Sequence, residues 1–381
     1  MIRMNRSFGP FCRVLLLLLA AALFPAGAEV HAAASSAGRA EDTAAQEIAE
    51  EEPDVKRIVL GHVGDSYEWH IATAGGREWS LPLPVIVHSP SSGWHCFSAK
   101  RLRGGAEYEG LRIAADGDHA GKIVERQADG SDLRPLDLSI TKTVAGLLLN
   151  SALVVALVLG AARWYRGRKP DAAAPRGVVG LFETLVESLV DDLIEPCVGP
   201  SYRRFAPYLL TVFCFIFLNN LMGLIPFFPG GANVTGNIAV ALVLAVATFL
   251  VVNLSGSRHY WKDIFWPDVP TWLKVPVPII PLIELVGVFT KPFALMIRLF
   301  ANMLAGHAVI LSLTCVVFVT VKMGAAVNAS MTALSVLFSI FMNCLELLVA
   351  FLQAYVFTML SAVFIGLAQE RGGEADAGAE K

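Results

Sequence analysis

Arg298 stands inside the apolar run Pro292-Phe-Ala-Leu-Met-Ile-Arg-Leu-Phe-Ala-Asn-Met-Leu-Ala-Gly-His307. A guanidinium stays protonated at every accessible pH, and a charge near the centre of a membrane helix costs about 2.5 kcal/mol or more. Something must compensate for it: the lipid headgroups by snorkelling, a structural ion pair, or a partner that makes the charge useful. Glu284, Lys291 and Arg298 recur every seven residues, and a helix drifts only about 20° per heptad, so the three share one face with Asn302 a turn further on. A second apolar stretch repeats the pattern with Asn343, Glu346 and Gln353. His307 points about half a turn away from Arg298, toward Glu346. Histidine and glutamate exchange protons near neutral pH when their surroundings shift them. As residues alone, the two are either a satisfied pair fixing a helix hairpin or steps in an ion path.

The elements that must position these groups are hydrophobic. The 381 residues are 55% hydrophobic and 17% charged, with a mean hydropathy of +0.57, which describes a polytopic membrane protein. A net charge of −3 without a long basic run excludes a nucleic-acid partner. The six cysteines contain no Cys-x-x-Cys and no zinc-type spacing with histidine.

Arg3, Arg6 and Arg13, a short apolar core over 14–24 and Ala26-Gly27-Ala28 form a secretory signal peptide over 1–28. Residues 29–137 are expected to be extracytoplasmic, with a disordered Ala/Glu-rich start and a small β-rich part from Val55. Its histidines, His62, His70, His88, His95 and His119, match no metal motif and read as surface or packing residues. Apolar spans are expected over 143–162, 205–225 and 238–254. Arg163, Arg166, Arg168 and Lys169 place the end of the first span in the cytoplasm. Between the first two, 180–194 alternates Leu181, Leu185, Leu189 and Leu193 with Glu183, Glu187, Asp191 and Asp192, an amphipathic helix for the membrane surface or a partner. Asn233-Val-Thr235 is read as a turn. The stretches 279–321 and 328–367 are each about twice the roughly 20 residues that cross upright; they are expected to be a steeply tilted hairpin, with Pro292 and Gly306 the alternative bend points.

From about Leu138 to Gln369 the chain resembles subunit a of F-type rotary ATP synthases. The resemblance rests on Lys291-Pro292, Arg298-Leu-Phe300, Asn302-Met303, Ala305-Gly306 and Gln353-Ala354, with weaker support from Phe217-Leu-Asn-Asn-Leu-Met-Gly-Leu-Ile-Pro226 and Asn233-Val-Thr235. It implies an all-α polytopic fold over 138–370, with upright helices and a tilted hairpin, and a cytoplasmic tail over 371–381. It implies a proton-translocating stator subunit, itself not an enzyme, in a bacterial inner membrane. Its partners would be a c-subunit ring, b-type peripheral stalk subunits and lipid; the carried ion would be H+, with Na+ the alternative, and neither cofactor nor metal is required. Arg298 would face the carboxylate of each passing c subunit, favouring its ionised form by about 4 kcal/mol at 4 Å and an effective dielectric of 20. His307, Glu346 and Gln353 would line the extracytoplasmic half-channel with Asn302 on the path, Glu284 the cytoplasmic one, and Lys291 and Asn343 would support them. Many members carry the acid and the histidine of the His307–Glu346 pair exchanged between helices; this chain has the mitochondrial-type order. The N-terminal extension departs from the common short form.

A secondary transporter with a midplane polar site is the competing class, and it predicts an internal repeat of interrupted helices; none is visible, since the polar residues gather in the last two stretches. An intramembrane hydrolase would need a Gly-x-Ser-x-Gly or His-Glu-x-x-His motif, and ATP hydrolysis a Gly-x-x-x-x-Gly-Lys-Ser/Thr loop. The sequence contains none of these.

Overall fold

The computed structural model describes residues 65–74, 77–114, 119, 121–126, 132–166, 175–225, 230–265 and 279–369. The expected signal peptide, the start of the extension with His62, Arg168 and Lys169, and the tail over 371–381 lie outside them.

The first part is antiparallel β structure in three small sheets: β1 (Glu68–Ala74) with β2 (Arg77–Pro82); β3 (Pro84–Ser89) between β4 (Gly93–Ser98) and β8 (Leu136–Asp137); and β6 (Ile123–Arg126) between β5 (Leu111–Ile113) and β7 (Asp132–Leu133). Strand β3 buries Val85, Val87 and Ser89 and turns the residues between them outward, the period-2 signature of a strand over a core. That core adds Tyr67, Phe97, Leu102, Leu111 and Ile123. Tyr67 joins the sheets, because its hydroxyl donates to Asp137 while accepting from the Ile123 amide at 3.3 Å. Burial, reinforced by the Asp137 carboxylate, holds this phenol well above its usual range, so it remains a donor at physiological pH. His88 packs edge-on against Trp94, and His95 bonds Glu109 and Ser92, matching the packing and surface roles read from the sequence.

The helical part begins with α1 (Lys142–Tyr165). The extension holds its first turn: Asp65 accepts from the Thr143 amide at 3.0 Å, and the Ser66 carbonyl from the Lys142 amide at 2.8 Å. Next come α2 (Val178–Leu189), a π turn (Val190–Ile194) and the short α3 (Glu195–Val198). The C-terminal part of the apolar stripe expected at the membrane surface or on a partner packs on the chain's own helices: Leu189, Leu193, Ile194 and Val198 are buried with residues of α4 (Tyr202–Gly223) and the last helix. The approach is close enough that a Cβ on Gly366 would overlap the Cys197 carbonyl oxygen. Gly366→Ala is therefore expected to destabilise the protein by about 1–3 kcal/mol, read as a lower unfolding temperature in detergent; an unchanged temperature would show that this junction yields freely.

Helix α5 (Ile238–Leu254) bends by 103° into α6 (Arg258–Phe265). Asn233 and Asn237 shape the entry to α5, accepting from the Gly236 and Ala239 amides at 2.9 Å, which is the turn read from the sequence. Then α7 (Ile279–Thr320) and α8 (Ala325–Gln369) run for 42 and 45 residues as an antiparallel pair. Their link ends on Gly324, whose φ of +102° is readily available only to glycine. Neither helix breaks: Pro292 lies inside α7, and Gly306 serves packing instead. At 1.5 Å per residue α7 is about 63 Å long against a hydrocarbon layer of about 30 Å, so the pair is the long hairpin whose length demands steep tilt. Among the described residues, four helical stretches are long and apolar enough to span a membrane, five with the bent pair. Small residues Ala241, Ala245, Ala354 and Ala362 let α5 and α8 approach Leu209, Phe213, Leu295 and Leu299, the usual way helices pack in lipid.

Candidate functional site

The hairpin brings His307 and Glu346 together. His307 Nδ1 lies 2.5 Å from Glu346 Oε1, and the side chains are 18% and 5% exposed. A hydrogen bond at this distance has a proton on one of the two atoms, and it joins residues 39 positions apart in sequence. Gly306 makes room, since a Cβ there would sit 2.8 Å from Glu346 Oε1. About two and a half turns along α7 from His307 and about two along α8 from Glu346, Gln353 donates to the Arg298 carbonyl at 2.6 Å. Glu346 Oε2 and Gln353 Oε1 are buried without a partner among the described residues. Two orphaned acceptors seven residues apart on one face of α8 are a polar track, because each costs free energy until water or an ion reaches it.

Arg298 itself is exposed, and among the described residues no carboxylate lies within ion-pair range of it. Its surroundings are apolar and equally bare: Phe293 is 60% exposed, Ile297 40%. Asn302 and Glu284 are exposed on the same helix. Lys291 departs from this face, its ammonium resting 5.4 Å from the centre of the Phe364 ring, beside a small cavity of about 30 Å³ between α5, α7 and α8. Asn343 does not join the track; it bonds the Ser339 carbonyl of its own helix at 2.9 Å.

The sequence reading passed over a second set of polar residues. Asn219 and Asn220, side by side in α4, are fully buried. Asn150 donates to Asn219 at 2.9 Å. Asn220 accepts from Thr235 at 2.6 Å and donates to the Ala350 carbonyl at 3.2 Å, four residues from Glu346. Two amides in the middle of an apolar span had to find partners, which was the available signal. Gly223, a turn further, faces the other imidazole nitrogen: a Cβ on it would lie 3.8 Å from His307 Nε2.

Residues 148–366 match the family described as ATP synthase A chain, and residues 58–138 match a family described only as a domain of unknown function. Among curated relatives, "ATP synthase subunit a 2" of Chlorobaculum tepidum is 47% identical over 242 residues, covering 61% of this chain and 64% of that protein. "ATP synthase subunit a" of Chlorobium phaeobacteroides is 45% identical over 245 residues, covering 63% and 68%. The chain thus spans just under two thirds of the first relative's length and just over two thirds of the second's. "ATP synthase subunit a" of Anaeromyxobacter dehalogenans is 34% identical over 333 residues, 82% of this chain and 80% of that protein, a match too long for the helical part alone, so part of the extension is shared. With a family match across more than half of its length, lying on the helices that carry Arg298, His307, Glu346 and Gln353, this chain belongs to the subunit a family of the ATP synthase membrane sector.

Proposed function

We propose that this chain is the proton-translocating stator subunit of its ATP synthase, with Arg298 facing the carboxylates of a c-subunit ring and the His307–Glu346 pair receiving protons from the extracytoplasmic side. The observation that carries this reading is the bare guanidinium on an apolar helix face, with no carboxylate in ion-pair range among the described residues, a charge that a carboxylate on a neighbouring subunit would compensate. A permanent positive charge there discharges each arriving protonated carboxylate and keeps protons from passing straight between the two sides. Protons then cross only by riding the ring. Each one descending 100 mV contributes about 2.3 kcal/mol to rotation.

In this reading Glu346, Gln353 and Asn302 line the extracytoplasmic path, and Glu284, about 21 Å along α7 from Arg298 at 1.5 Å per residue, belongs to the cytoplasmic one. Lys291 supports the helix contact through Phe364 rather than the path. Arg163 and Arg166 at the end of α1 support a cytoplasmic location there, which puts the extension outside and the C-terminus inside an inner membrane. The b-type stalk subunits would hold the stator against the ring. Protons are the carried ion, as a His–Glu pair suits proton exchange; stimulation of transport by Na+ at fixed pH would reverse that choice.

The test is ATP-driven acidification of inverted vesicles containing wild type or Arg298→Ala, with ring association measured by co-purification. The expected result is loss of pumping with the ring still bound. Undiminished pumping by Arg298→Ala, or a wild-type chain that binds no ring, would refute the proposal.

A further inference from the structure

The β extension reaches the mouth of the site through one side chain. Trp69 of β1 is 3% exposed and packs with Ala232 and Val234 of the segment between α4 and α5, with Ala145 and Leu147 of α1 against them. Its indole N–H donates to the Gly230 carbonyl at 3.3 Å, so a buried carbonyl of irregular backbone gains a fixed partner from another part of the chain. Ala232 is confined on two further sides. On α1, a Cβ at Gly146 would lie 2.5 Å from the Ala232 Cβ and 3.9 Å from the Trp69 ring; on α4, a Cβ at Gly223 would lie 3.7 Å from the Ala232 carbonyl oxygen. That same point at Gly223 is 3.8 Å from His307 Nε2, the nitrogen turned away from Glu346. The carbonyl and the imidazole nitrogen are therefore no more than about 7.5 Å apart, a gap one or two waters bridge.

We propose that Trp69 is a positioning residue for proton exchange: it pins Ala232 so that the Ala232 carbonyl and His307 Nε2 face each other across Gly223 and form the extracytoplasmic entry. The inference rests on reading His307–Glu346 as the extracytoplasmic proton site. It gives the extension a task in transport beyond capping α1: without the indole, Gly230 loses its donor, Ala232 loses its backing, and the entry geometry relaxes. The Asn220–Thr235 bond holds the other end of the same segment, so removal of Trp69 distorts the mouth without detaching the loop.

The experiment uses the whole complex in proteoliposomes carrying wild type, Trp69→Ala, Trp69→Phe, Gly146→Ala or Glu346→Gln. The initial rate of ATP synthesis is recorded against the pH of the extracytoplasmic compartment, at fixed pH on the other side and fixed membrane potential. Trp69→Ala is expected to lower the rate about tenfold, since displacements of about 1 Å near reacting groups have effects of that order or more, and to move the half-maximal pH by about half a unit or more. Gly146→Ala, which pushes Ala232 from the α1 side, should move it too, and Trp69→Phe should restore most of the wild-type profile by refilling the space. A profile for both Trp69→Ala and Gly146→Ala that superimposes on wild type after scaling for assembled complex would overturn the proposal, since a purely structural role changes the amount of active complex and leaves the pH midpoint alone. Glu346→Gln separates the two readings: if it abolishes synthesis while Trp69→Ala keeps the wild-type midpoint, only the entry proposal fails; if it synthesises ATP at the wild-type rate, the proton-site reading fails first.

Discussion

Arg298→Lys is expected to abolish ATP-driven proton transport, although it keeps a basic residue in place. The substitution isolates the guanidinium, because the bond that anchors this part of α7 to α8 goes from Gln353 to the Arg298 backbone carbonyl and survives any side-chain change. What changes is the charge itself. Arginine cannot lose its proton in a protein, presents a planar fork that can hold two carboxylate oxygens and is weakly hydrated; lysine is a flexible, strongly hydrated point charge whose pKa falls readily in apolar surroundings. Beside Phe293 and Ile297, against a partner that excludes water, the ammonium has both reason and means to release its proton. A site that can itself carry a proton no longer separates two half-channels. Coupled transport should fall at least about 100-fold, equivalent to about 2.7 kcal/mol at the step that discharges the ring, with the ring still bound. Pumping within a few-fold of wild type would mean that any positive charge suffices, and the argument from the guanidinium would be wrong.

The parts of this molecule visible in the sequence are those that follow a period. The three shorter spans, the two long stretches and the half-turn that aims His307 at the other helix all come from residue spacing, and the 2.5 Å contact with Glu346 is where that spacing leads. Lys291 shows the limit: two heptads put it on the face of Glu284 and Arg298, yet a flexible side chain on a slowly drifting stripe reaches the Phe364 ring instead. The amphipathic stripe around Leu189 and Leu193 was legible as a stripe, but which surface it covers depends on α4 and α8, whose proximity no local pattern encodes. The same holds for Trp69, 161 positions from its acceptor Gly230, and for Asn220, 130 positions from the Ala350 carbonyl. Such pairs leave one trace in a sequence, a polar or small residue where an apolar one would be cheaper, and Asn219, Asn220, Gly223 and Gly306 are that trace. Gly306 is instructive because helical glycine reads first as a hinge; its use here is to admit a carboxylate.

Exchanging the pair, His307→Glu together with Glu346→His, is expected to retain far more activity than either single change. Each single variant spoils the site in its own way. His307→Glu sets two carboxylates against each other in a place where Glu346 is 5% exposed, and like charges at that range share a single proton rather than ionise together. Glu346→His leaves two imidazoles without an acid, removes the acceptor that orients Nδ1 and puts a ring into space shaped by Gly306. Both should reduce transport about 100-fold. The double variant restores one acid, one base and one shared proton across the same gap between α7 and α8. It should return to within about tenfold of wild type, held below it by the bulk of a ring beside Gly306. Against the roughly 10,000-fold loss that two independent 100-fold effects would give, that recovery is a coupling of about 1,000-fold, or about 4 kcal/mol, the mark of residues acting as one unit. Acidification rates of the four proteins, normalised to assembled complex, give the coupling directly. Losses that simply multiply would show that His307 and Glu346 handle protons separately, and the short contact between them would then be a feature of packing alone.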